Sequence, residues 1–550
     1  MASLNPNTAV LGVKNAKHLL RRATFVYTKT LIDQYSKLTP NQALDLLLVD
    51  NPLTLNLPYD PLPTAAPDGY WTESTNLPTL FPNQYGKGTI VAGWWWYNAI
   101  NSPTLKFKLS HFLSTRFTVI KNTDVFGSAT EFYDYIRLLL FYSLGNYKKL
   151  AKKMTLNNSM LSFLNNTSNV KSSPNENYAR EFLELFTIGK GAQIGPGNYT
   201  NYTESDIVQT ARILTGFKRK HERSLIDSET GIPKGFNQFS DHNTSSKTFS
   251  GAFNNKIITA ASDAASMDTE LDNYIEMVFD QPATAKNICR KIYTYFVKSI
   301  ISTEAENDII NPLAQDLYNN DYEIIPIIRK LLESQHFYDL DDSNATDETI
   351  GGIIKSPLQQ LSEICTYLKA TIPDPSSNPL NFYNVFWWNF INNNFFMRSN
   401  MILFEPENVA GHAAYYQAPN FDKTWISSST LIARYRLGES LVDGVNRISG
   451  NSNIIVKIYI SEVIKNGGIV SNPSDPFVLT SELCNALFAQ QADTDRINYF
   501  MNSFLLQGLT NYYWTEAWNS FISTNNSSVV ESRLKLLITK IVRAPESQMF

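Results

Sequence analysis

The sequence predicts a mainly α-helical fold: a large multi-helix body with long irregular loops and little or no β-sheet. Apolar residues recur at three- and four-residue spacing in most segments, which is the period of an amphipathic helix. Period-2 runs are few and short, with residues 453–459 as an example. The length of 550 residues would suit about three or four average domains or one large helical body.

Two long loops are expected in the first half of the chain. Residues 50–87 are rich in Pro, and residues 218–269 are rich in Ser, Asn and Gly. Both stretches exceed the usual length of a connection between helices, and long loops often carry function.

Helix signals lie between and after these loops. Ser173, followed by Pro174 and Glu176, has the pattern of a capping box with Pro at the first helical position. Thr203 with Asp206 predicts a second capped helix that stops at Gly216. The glycine-rich turn 189–201 would join the two helices as an αα-hairpin.

Later segments repeat the helical pattern. Asp280 is predicted to cap a helix that runs to Val297, and Ser356 is predicted to cap one that begins at Pro357. Residues 319–333 predict a short entry followed by an amphipathic helix.

Composition limits the classes of partner. The net charge is -4 and only 18% of the residues are charged, against about 25% in an average soluble domain. This argues against a basic nucleic-acid binder and favours neutral glycans, polar polymers or protein surfaces. The three cysteines are far apart and predict no disulfide framework. We expect no transmembrane segment, and the N-terminal residues show no signal-peptide pattern.

No motif that fixes a reaction is present in the sequence, and neither a cofactor nor a metal site is predicted. One predicted helix face combines carboxylates with an arginine, and it has two interpretations. It could be an acid–base or metal-binding site, or its residues could form i, i+4 ion pairs with one another. Its members are Glu176, Asn177, Arg180, Glu181 and Glu184. In the second long loop, Asp241, His242 and Lys247 lie between aromatic residues, where a histidine beside an aspartate can act as a general base or simply be hydrogen-bonded.

Two other groups of residues have alternative explanations. The aromatic runs 94–97 and 386–388 could stack on sugar rings, but successive residues of a helix point in different directions, which favours core packing. Asp339, Asp341, Ser343 and Asp347 are rich in oxygen ligands, yet Asn344 and Ile350 stand where a calcium loop needs Gly and Glu, so a solvated acidic turn is the preferred interpretation.

Several sequence blocks, in order, resemble a bacterial family known as domain of unknown function 1800 (DUF1800). The matching blocks are residues 18–25, 174–189, 202–217, 241–248, 282–297, 354–357 and 406–411, followed by Trp425. The resemblance implies a mainly helical protein whose relatives are commonly exported to the periplasm, the cell surface or the medium. It also implies a partner, either a second copy of the chain or a protein of the DUF1501 family, which resembles the alkaline-phosphatase and sulfatase fold.

The chain departs from the family pattern at two places. The family usually carries a Trp-His-Asn-His-Phe block, and residues 113–117 here read Leu-Ser-Thr-Arg-Phe, so Ser114 and Arg116 replace both histidines. A metal or catalytic role of those histidines would be lost in this chain. His412 stands where the family has Trp.

The resemblance divides the chain into a helical body at 1–435 and a C-terminal helical portion at 436–550 packed on it. It also suggests that the polar residues of the matched blocks form one cluster, in which the N-terminal arginines pair with the glutamates of residues 176–184. The expected binding or structural cluster contains His18, Arg21, Arg22, Glu176, Asn177, Arg180, Lys247 and Asn408.

Two functions follow as hypotheses. The first is a non-catalytic structural or protein-interaction component of an exported or envelope-associated assembly, because no reaction-fixing motif is found and both family histidines are replaced. The alternative is a hydrolase-like enzyme that acts on a carbohydrate or an ester through Glu181, Glu184, Asp241 and His242.

Overall fold

Helices account for most of the computed structural model, which describes residues 2–62, 69–73, 84–121, 128–342, 348–446 and 454–550. The helices up to residue 213 are α1 (Gly12–Ala23), α2 (Lys29–Tyr35), α3 (Pro40–Leu47), α4 (Gln84–Ile100), α5 (Leu105–Ser114), α6 (Ala129–Tyr142), α7 (Tyr147–Thr155), α8 (Asn158–Phe163), α9 (Asn177–Glu181) and α10 (Glu204–Ile213). The predicted mainly α-helical class is confirmed.

The second half of the chain continues in the same way. Its helices are α11 (Ser266–Phe279), α12 (Pro282–Phe296), α13 (Thr303–Ala305), α14 (Asn311–Asn319), α15 (Ile324–Glu333), α16 (Pro357–Tyr367), α17 (Ser428–Asp443), α18 (Ile460–Gly467), α19 (Pro476–Leu487), α20 (Thr494–Phe500), α21 (Asn511–Thr524) and α22 (Ser528–Arg543). Short 3₁₀ turns are Trp71–Glu73, Asn166–Ser168, Phe239–Asp241, Gly251–Phe253, His336–Tyr338, Met397–Ser399, Ala413–Tyr415, Phe421–Trp425 and Pro545–Gln548. No helix in the described part of the chain has both the length and the apolar character needed to cross a bilayer.

The strands of the described residues form only two-stranded antiparallel ribbons. The pairs are β1 (Gln193–Gly195) with β2 (Asn198–Tyr199), β3 (Phe217–Lys218) with β4 (Phe236–Asn237), β5 (Lys247–Thr248) with β6 (Ile257–Ile258), and β7 (Val445–Asn446) with β8 (Ile454–Val456). Three of these ribbons involve the glycine-rich turn after α9 or the second long loop, so those loops are ordered by short local pairings.

Some predicted helix starts are right and others are wrong. Thr203 and Asp206 form the predicted capping box of α10, and Ser356 accepts a hydrogen bond from the Gln359 backbone at the start of α16. Ser173 caps no helix: it pairs with Val170 in an isolated bridge, and α9 starts four residues later.

Asp280 does not cap the helix that follows it either. It terminates α11, and α12 begins after Gln281 without a side-chain cap. The helix nevertheless starts there because Pro282 occupies its first turn, where the missing N–H would have no intrahelical partner in any case.

Within the described ranges, four segments have π-helical geometry: Phe182–Phe186, Glu306–Ile310, Leu380–Phe396 and Met501–Leu506. The longest of them, Leu380–Phe396, carries asparagines at five-residue spacing. Asn389 donates to Asn384 Oδ1 at 3.4 Å, and Asn394 donates to the Asn389 carbonyl at 2.6 Å. Because a π-helix bonds residue i to i+5, these contacts follow its register.

Aromatic residues fill the centre of the molecule. Trp94, Trp95 and Trp96 are all 0% exposed, and the ring of Trp96 stacks on that of Trp387 at a centroid distance of 5.2 Å. The core interpretation of the two aromatic runs is therefore right for these residues. The indole N–H of each of these tryptophans donates a hydrogen bond. Trp94 donates to the Leu55 carbonyl and Trp387 to the Thr89 carbonyl. Trp95 donates to Ser110 Oγ and Trp96 to Ser362 Oγ.

The apolar core runs continuously from α1 to α22. The boundary predicted after residue 435 falls inside α17, and α17 packs against both α16 and α22. The division of the chain into two parts stays a prediction.

Candidate functional site

A cleft of about 270 Å³ opens where four separate segments meet. The segments are the residues just after α5, the π-helical turn at 182–186 with the glycine turn that follows it, the middle of α12, and the residues on both sides of the 3₁₀ turn at 413–415. The lining residues are Thr115, Arg116, Glu184, Leu185, Gly189, Lys190, Asn287, Lys291, Ala410 and Tyr416.

Arg116 is the most buried charge in the cleft, with 7% of its surface exposed. Its Nε donates to Thr115 Oγ1 at 3.1 Å, and one Nη donates to the Tyr415 carbonyl at 3.5 Å. No Asp or Glu in the described part of the chain forms an ion pair with it. Burial lowers the pKa of Arg116 to about 10, which leaves the guanidinium charged at neutral pH.

Lys291 contributes a second cation from α12. Within the described residues its side-chain nitrogen has neither an ion pair nor a hydrogen bond. Burial and the nearby charge of Arg116 lower the pKa of Lys291 to about 7. A positive pair without an acidic partner in the described chain is therefore built into one wall of the cleft.

The carboxylates of the predicted catalytic pair differ from each other. Glu184 lines the cleft, but it is bound by Lys190 and receives the hydroxyl of Tyr202 at 3.4 Å. Glu181 is half-buried, and burial together with the charge of Glu184 raises its pKa to about 7. Of the two, Glu181 is thus the one close to the protonation equilibrium that a general acid needs at neutral pH.

Asn408 is exposed and hydrogen-bonds to two residues of the cleft wall. Its side-chain amide donates to Tyr416 Oη at 2.7 Å, and its Oδ1 accepts from the Ala410 backbone at 2.9 Å. Both Tyr416 and Ala410 line the cleft, so Asn408 fixes the shape of its wall.

His242 lies elsewhere, with 0% of its surface exposed. Its Nε2 contacts Glu270 Oε2 at 2.9 Å, and its Nδ1 contacts the Thr215 carbonyl at 2.7 Å. Lys247 binds the same Glu270 carboxylate. Both ring nitrogens are occupied and no solvent reaches them, so this histidine holds the long loop against α11.

Asp241, the neighbour of His242, pairs with Lys218 at 3.0 Å. This ion pair ties the loop to the end of β3. The structure therefore gives both Asp241 and His242 protein partners of their own and places neither in the lining of the cleft.

The expected pairing of the N-terminal arginines with the glutamates of residues 176–184 is wrong. Arg21 binds Glu363 on α16 at 2.8 Å, and Lys355 binds the same carboxylate at 2.9 Å. The counter-charge of the N-terminal helix is therefore the buried Glu363 on α16. The glutamates of residues 176–184 form no ion pair with Arg21 or Arg22 in the described structure.

The other two N-terminal residues of the expected cluster also have partners far from α9. Arg22 donates to the carbonyls of Thr349 and Phe550. His18 is 3% exposed and packs against Phe337 at a ring distance of 4.4 Å. Both side chains therefore serve the packing of α1 rather than a common polar site with α9.

The polar face of α9 agrees in part with its ion-pair interpretation: the i, i+4 pair of Glu176 with Arg180 forms, whereas Glu184 binds Lys190 instead of Arg180. Arg180 bridges Glu176 at 3.2 Å and Glu204 on α10 at 2.9 Å. Asn177 is exposed, and its backbone N–H binds Asn175 Oδ1. The predicted single cluster is therefore divided among several separate places.

Sequence reasoning missed Lys291, Glu270 and Glu363, because each owes its role to a neighbour far away in the chain. Arg116 stands out in the sequence only as a departure from a family pattern. That departure is the available clue, since the resemblance leads us to expect a histidine at this position.

The acidic turn after α15 uses its carboxylates within the protein. Asp339 accepts from the backbones of Thr349 and Ile350, and Asp341 binds His336 at 2.7 Å. Ser343 and Asp347, the other two oxygen residues of the calcium hypothesis, lie outside the described residues. Nowhere in the described ranges do three or more His, Cys, Asp or Glu gather in a way that could hold a metal ion.

Comparison with known proteins gives one positive result. Neither a curated protein nor a solved structure matches the chain significantly. A family model described as a protein of unknown function, DUF1800, matches residues 18–549. Because that match covers nearly the whole sequence, the chain belongs to the DUF1800 family.

Proposed function

We propose that this protein is a non-catalytic binding component whose cleft receives a carboxylate presented by a protein partner. The observation that carries the proposal is the pair Arg116 and Lys291, two cations on one wall with no acidic partner among the described residues. An arginine offers several N–H donors in a plane that matches a carboxylate, and a lysine adds a point charge.

The size of the cleft supports a single anionic group rather than a polyanion. About 270 Å³ admits one acidic side chain with its backbone, and the net charge of -4 would repel a chain of negative charges. Asn287 and Tyr416 add polar atoms to the wall, which suits the peptide groups that flank an acidic residue.

The proposal also names the assembly and the partner of the protein. We infer that the partner belongs to an exported or envelope-associated assembly and is either a protein of the DUF1501 family or a second copy of this chain. The low charge content and the polar, aromatic-rich composition support contact with protein surfaces.

The binding proposal is tested with a blocked tripeptide, acetyl-Gly-Glu-Gly-amide, by ligand-observed NMR at pH 6.5. We expect the glutamate peptide to bind and the Gly-Gln-Gly analogue not to bind. The double variant Arg116→Gln, Lys291→Met removes both cations and should abolish the signal. Arg398→Gln is the matched control, because Arg398 also forms no ion pair in the described structure but lies in another groove. Equal binding of both peptides would contradict the proposal.

A hydrolase-like activity is the second candidate, and it is favoured by the half-buried position of Glu181 near the carboxylate of Glu184, which raises its pKa to about 7. In this case Glu181 would donate a proton to the leaving group of a carbohydrate or ester substrate. A panel of nitrophenyl glycosides and esters tests it. Turnover that falls as pH rises through about 7 and that Glu181→Gln removes would favour this candidate; no turnover on any substrate would reject it.

A further inference from the structure

Lys108 of α5 and Gln359 of α16 meet in the interior of the protein. Lys108 is 4% exposed and Gln359 is 1% exposed. The Lys108 Nζ lies 2.5 Å from Gln359 Oε1 and 3.1 Å from the Arg21 carbonyl. Because the C=O bond of an amide is about 1.23 Å long, Nζ lies within about 3.7 Å of Gln359 Cδ. The amine is therefore close to the separation of about 3–3.5 Å from which two groups react.

The amine of Lys108 has no counter-charge in the described part of the chain. Its hydrogen bonds go to two uncharged carbonyl oxygens, and its Nζ lies 4.4 Å from the centre of the Phe25 ring. Asp422 and the backbone oxygen of Phe550 lie on the wall of the adjoining cavity, and both accept from other donors. Burial lowers the pKa of Lys108 well below its usual value, which favours the neutral, nucleophilic amine.

The amide of Gln359 is also incompletely bonded. Its buried Nε2 has no hydrogen-bond partner, and a buried donor without an acceptor is costly. The amide and Lys108 both line a cavity of about 40 Å³. A water needs about 10–15 Å³, so this cavity has room beside the amide for a molecule as small as water or ammonia.

A carboxylate with an open oxygen lies one helical turn beyond the amide. Glu363 follows Gln359 by four residues on α16, so the two side chains share a face of the helix. Its Oε1 binds Arg21 and Lys355, whereas its buried Oε2 has no hydrogen-bond partner. Its charge partly opposes the effect of burial on the pKa of Lys108. No ion pair of 4 Å or less joins the two side chains, so a proton passes between them through one water or after rotation of the carboxylate.

We propose that Lys108 and Gln359 become joined by an intramolecular isopeptide bond. The lone pair of Nζ attacks Gln359 Cδ, and a C–N bond forms. Glu363 Oε2 takes one proton from Nζ and delivers it to Nε2. The Cδ–Nε2 bond then breaks, and ammonia leaves into the cavity, so the step needs no oxidant or reductant.

The product removes two costs of the fold at once. It replaces a buried amine without a counter-charge and an unpartnered donor by one amide, whose N–H faces the Arg21 carbonyl. Neither Lys108 nor Gln359 lines the carboxylate cleft, so this proposal does not depend on the proposed function.

Intact mass spectrometry of the purified full chain tests the bond. The measured mass should lie below the mass calculated from the sequence by one molecule of ammonia. After digestion with trypsin, one cross-linked peptide should contain both Lys108 and Gln359. A chain with the calculated mass, cleaved by trypsin after Lys108, would overturn the proposal, and this result does not depend on the folding of any variant.

Variants identify the residues that take part. Lys108→Arg and Gln359→Leu should each have the mass calculated from their sequence. They should also migrate more slowly than the wild type in a denaturing gel, because the bond would join residues 251 positions apart. Lys17→Arg is the matched control, because Lys17 is also buried but binds the backbone carbonyl of Asn485, and the loss of ammonia should persist in it. Glu363→Gln should leave the folded chain without the bond; a complete bond in this variant would contradict the role of Glu363.

Discussion

Two groups of basic residues in this molecule have opposite surroundings. In the Glu363 cluster, which comprises Arg21, Lys355 and Glu363, two cations share a fully buried carboxylate. In the cleft, Arg116 and Lys291 have no carboxylate in the described structure. In the first group both cations bind Oε1 of one buried carboxylate, whose Oε2 has no hydrogen-bond partner. In the second group no carboxylate of the described structure pairs with the cations, which is the basis of the proposed binding of a negative ligand. We infer that an acid facing a basic residue gives it a packing role, and that the absence of such an acid is what makes the proposed binding role available.

Arg21 and the nearby Lys17 also bind backbone carbonyls. Its Nη atoms donate to the carbonyls of Ala486 at 2.7 Å and Phe488 at 3.0 Å, while Lys17 binds the Asn485 carbonyl. These carbonyls lie at the C-terminal end of α19, where the helix dipole favours positive charge. Although burial alone would raise the pKa of Glu363, Arg21 and Lys355 hold it below its usual value.

Among the predicted substitutions, removal of the Glu363 carboxylate should lower the free energy of unfolding most. We expect Glu363→Gln to destabilise the protein by about 3–5 kcal/mol, because Arg21 and Lys355 would remain buried without a counter-charge. Urea denaturation measures the change. Asp33→Asn, which breaks an exposed pair with Lys29, is the control and should cost no more than about 0.5 kcal/mol. A similar small loss in both variants would refute the comparison.

Glu270 holds the second long loop, and its replacement should cause the next largest loss of stability. Glu270→Gln keeps an acceptor for the Ala261 backbone but removes the charge bound by His242 and Lys247. We expect a loss of about 1.5–3 kcal/mol in the same urea experiment.

The acid side of the stability curve gives a separate check on Glu270. Burial would raise its pKa, but the hydrogen bonds from His242 and Lys247 keep it lowered. The carboxylate therefore contributes stability above its unfolded pKa of about 4.3 and loses it as pH falls through the lower folded value. Denaturation between about pH 5 and pH 3 should show a shallower slope for the glutamine variant; an unchanged slope would exclude this role.

Binding in the cleft should depend on pH through Lys291. Its ammonium faces Arg116 and the neighbouring Arg290 and shares the cleft with the Glu184–Lys190 pair. Since its pKa is about 7, the cleft loses positive charge between about pH 6 and pH 8, and the glutamate peptide should bind roughly three- to tenfold more weakly. In Lys291→Met the affinity should be lower and independent of pH; a persistent pH dependence would assign the titration to another group.

The smallest effect is expected at Arg180. It bridges Glu176 and Glu204 on the surface, with 36% of its side chain exposed. Arg180→Gln should cost about 0.5 kcal/mol or less, reduced further at high salt. A loss above about 2 kcal/mol in the same urea experiment would show that this face is more than a surface ion-pair network.

Local patterns predicted local features. The caps at Thr203 and Ser356 and the burial of the tryptophans follow from neighbours within a few residues. The partners of Arg21 and His242 lie 342 and 28 residues away along the chain, and no local period encodes them. Ser173 shows the converse: it has the residues of a capping box, but the chain there forms a tight bridge with Val170, and the cap is not used.

The position of α1 has a consequence for the order of folding. Glu363 and the carbonyls of residues 485–488 are synthesised hundreds of residues after Arg21 and Lys17. Until then these cations stay in water, and α1 cannot take its final buried place without a heavy desolvation cost. Helix α1 is therefore made well before the residues that bind its cations, and we expect it to take its buried place only after they have been synthesised.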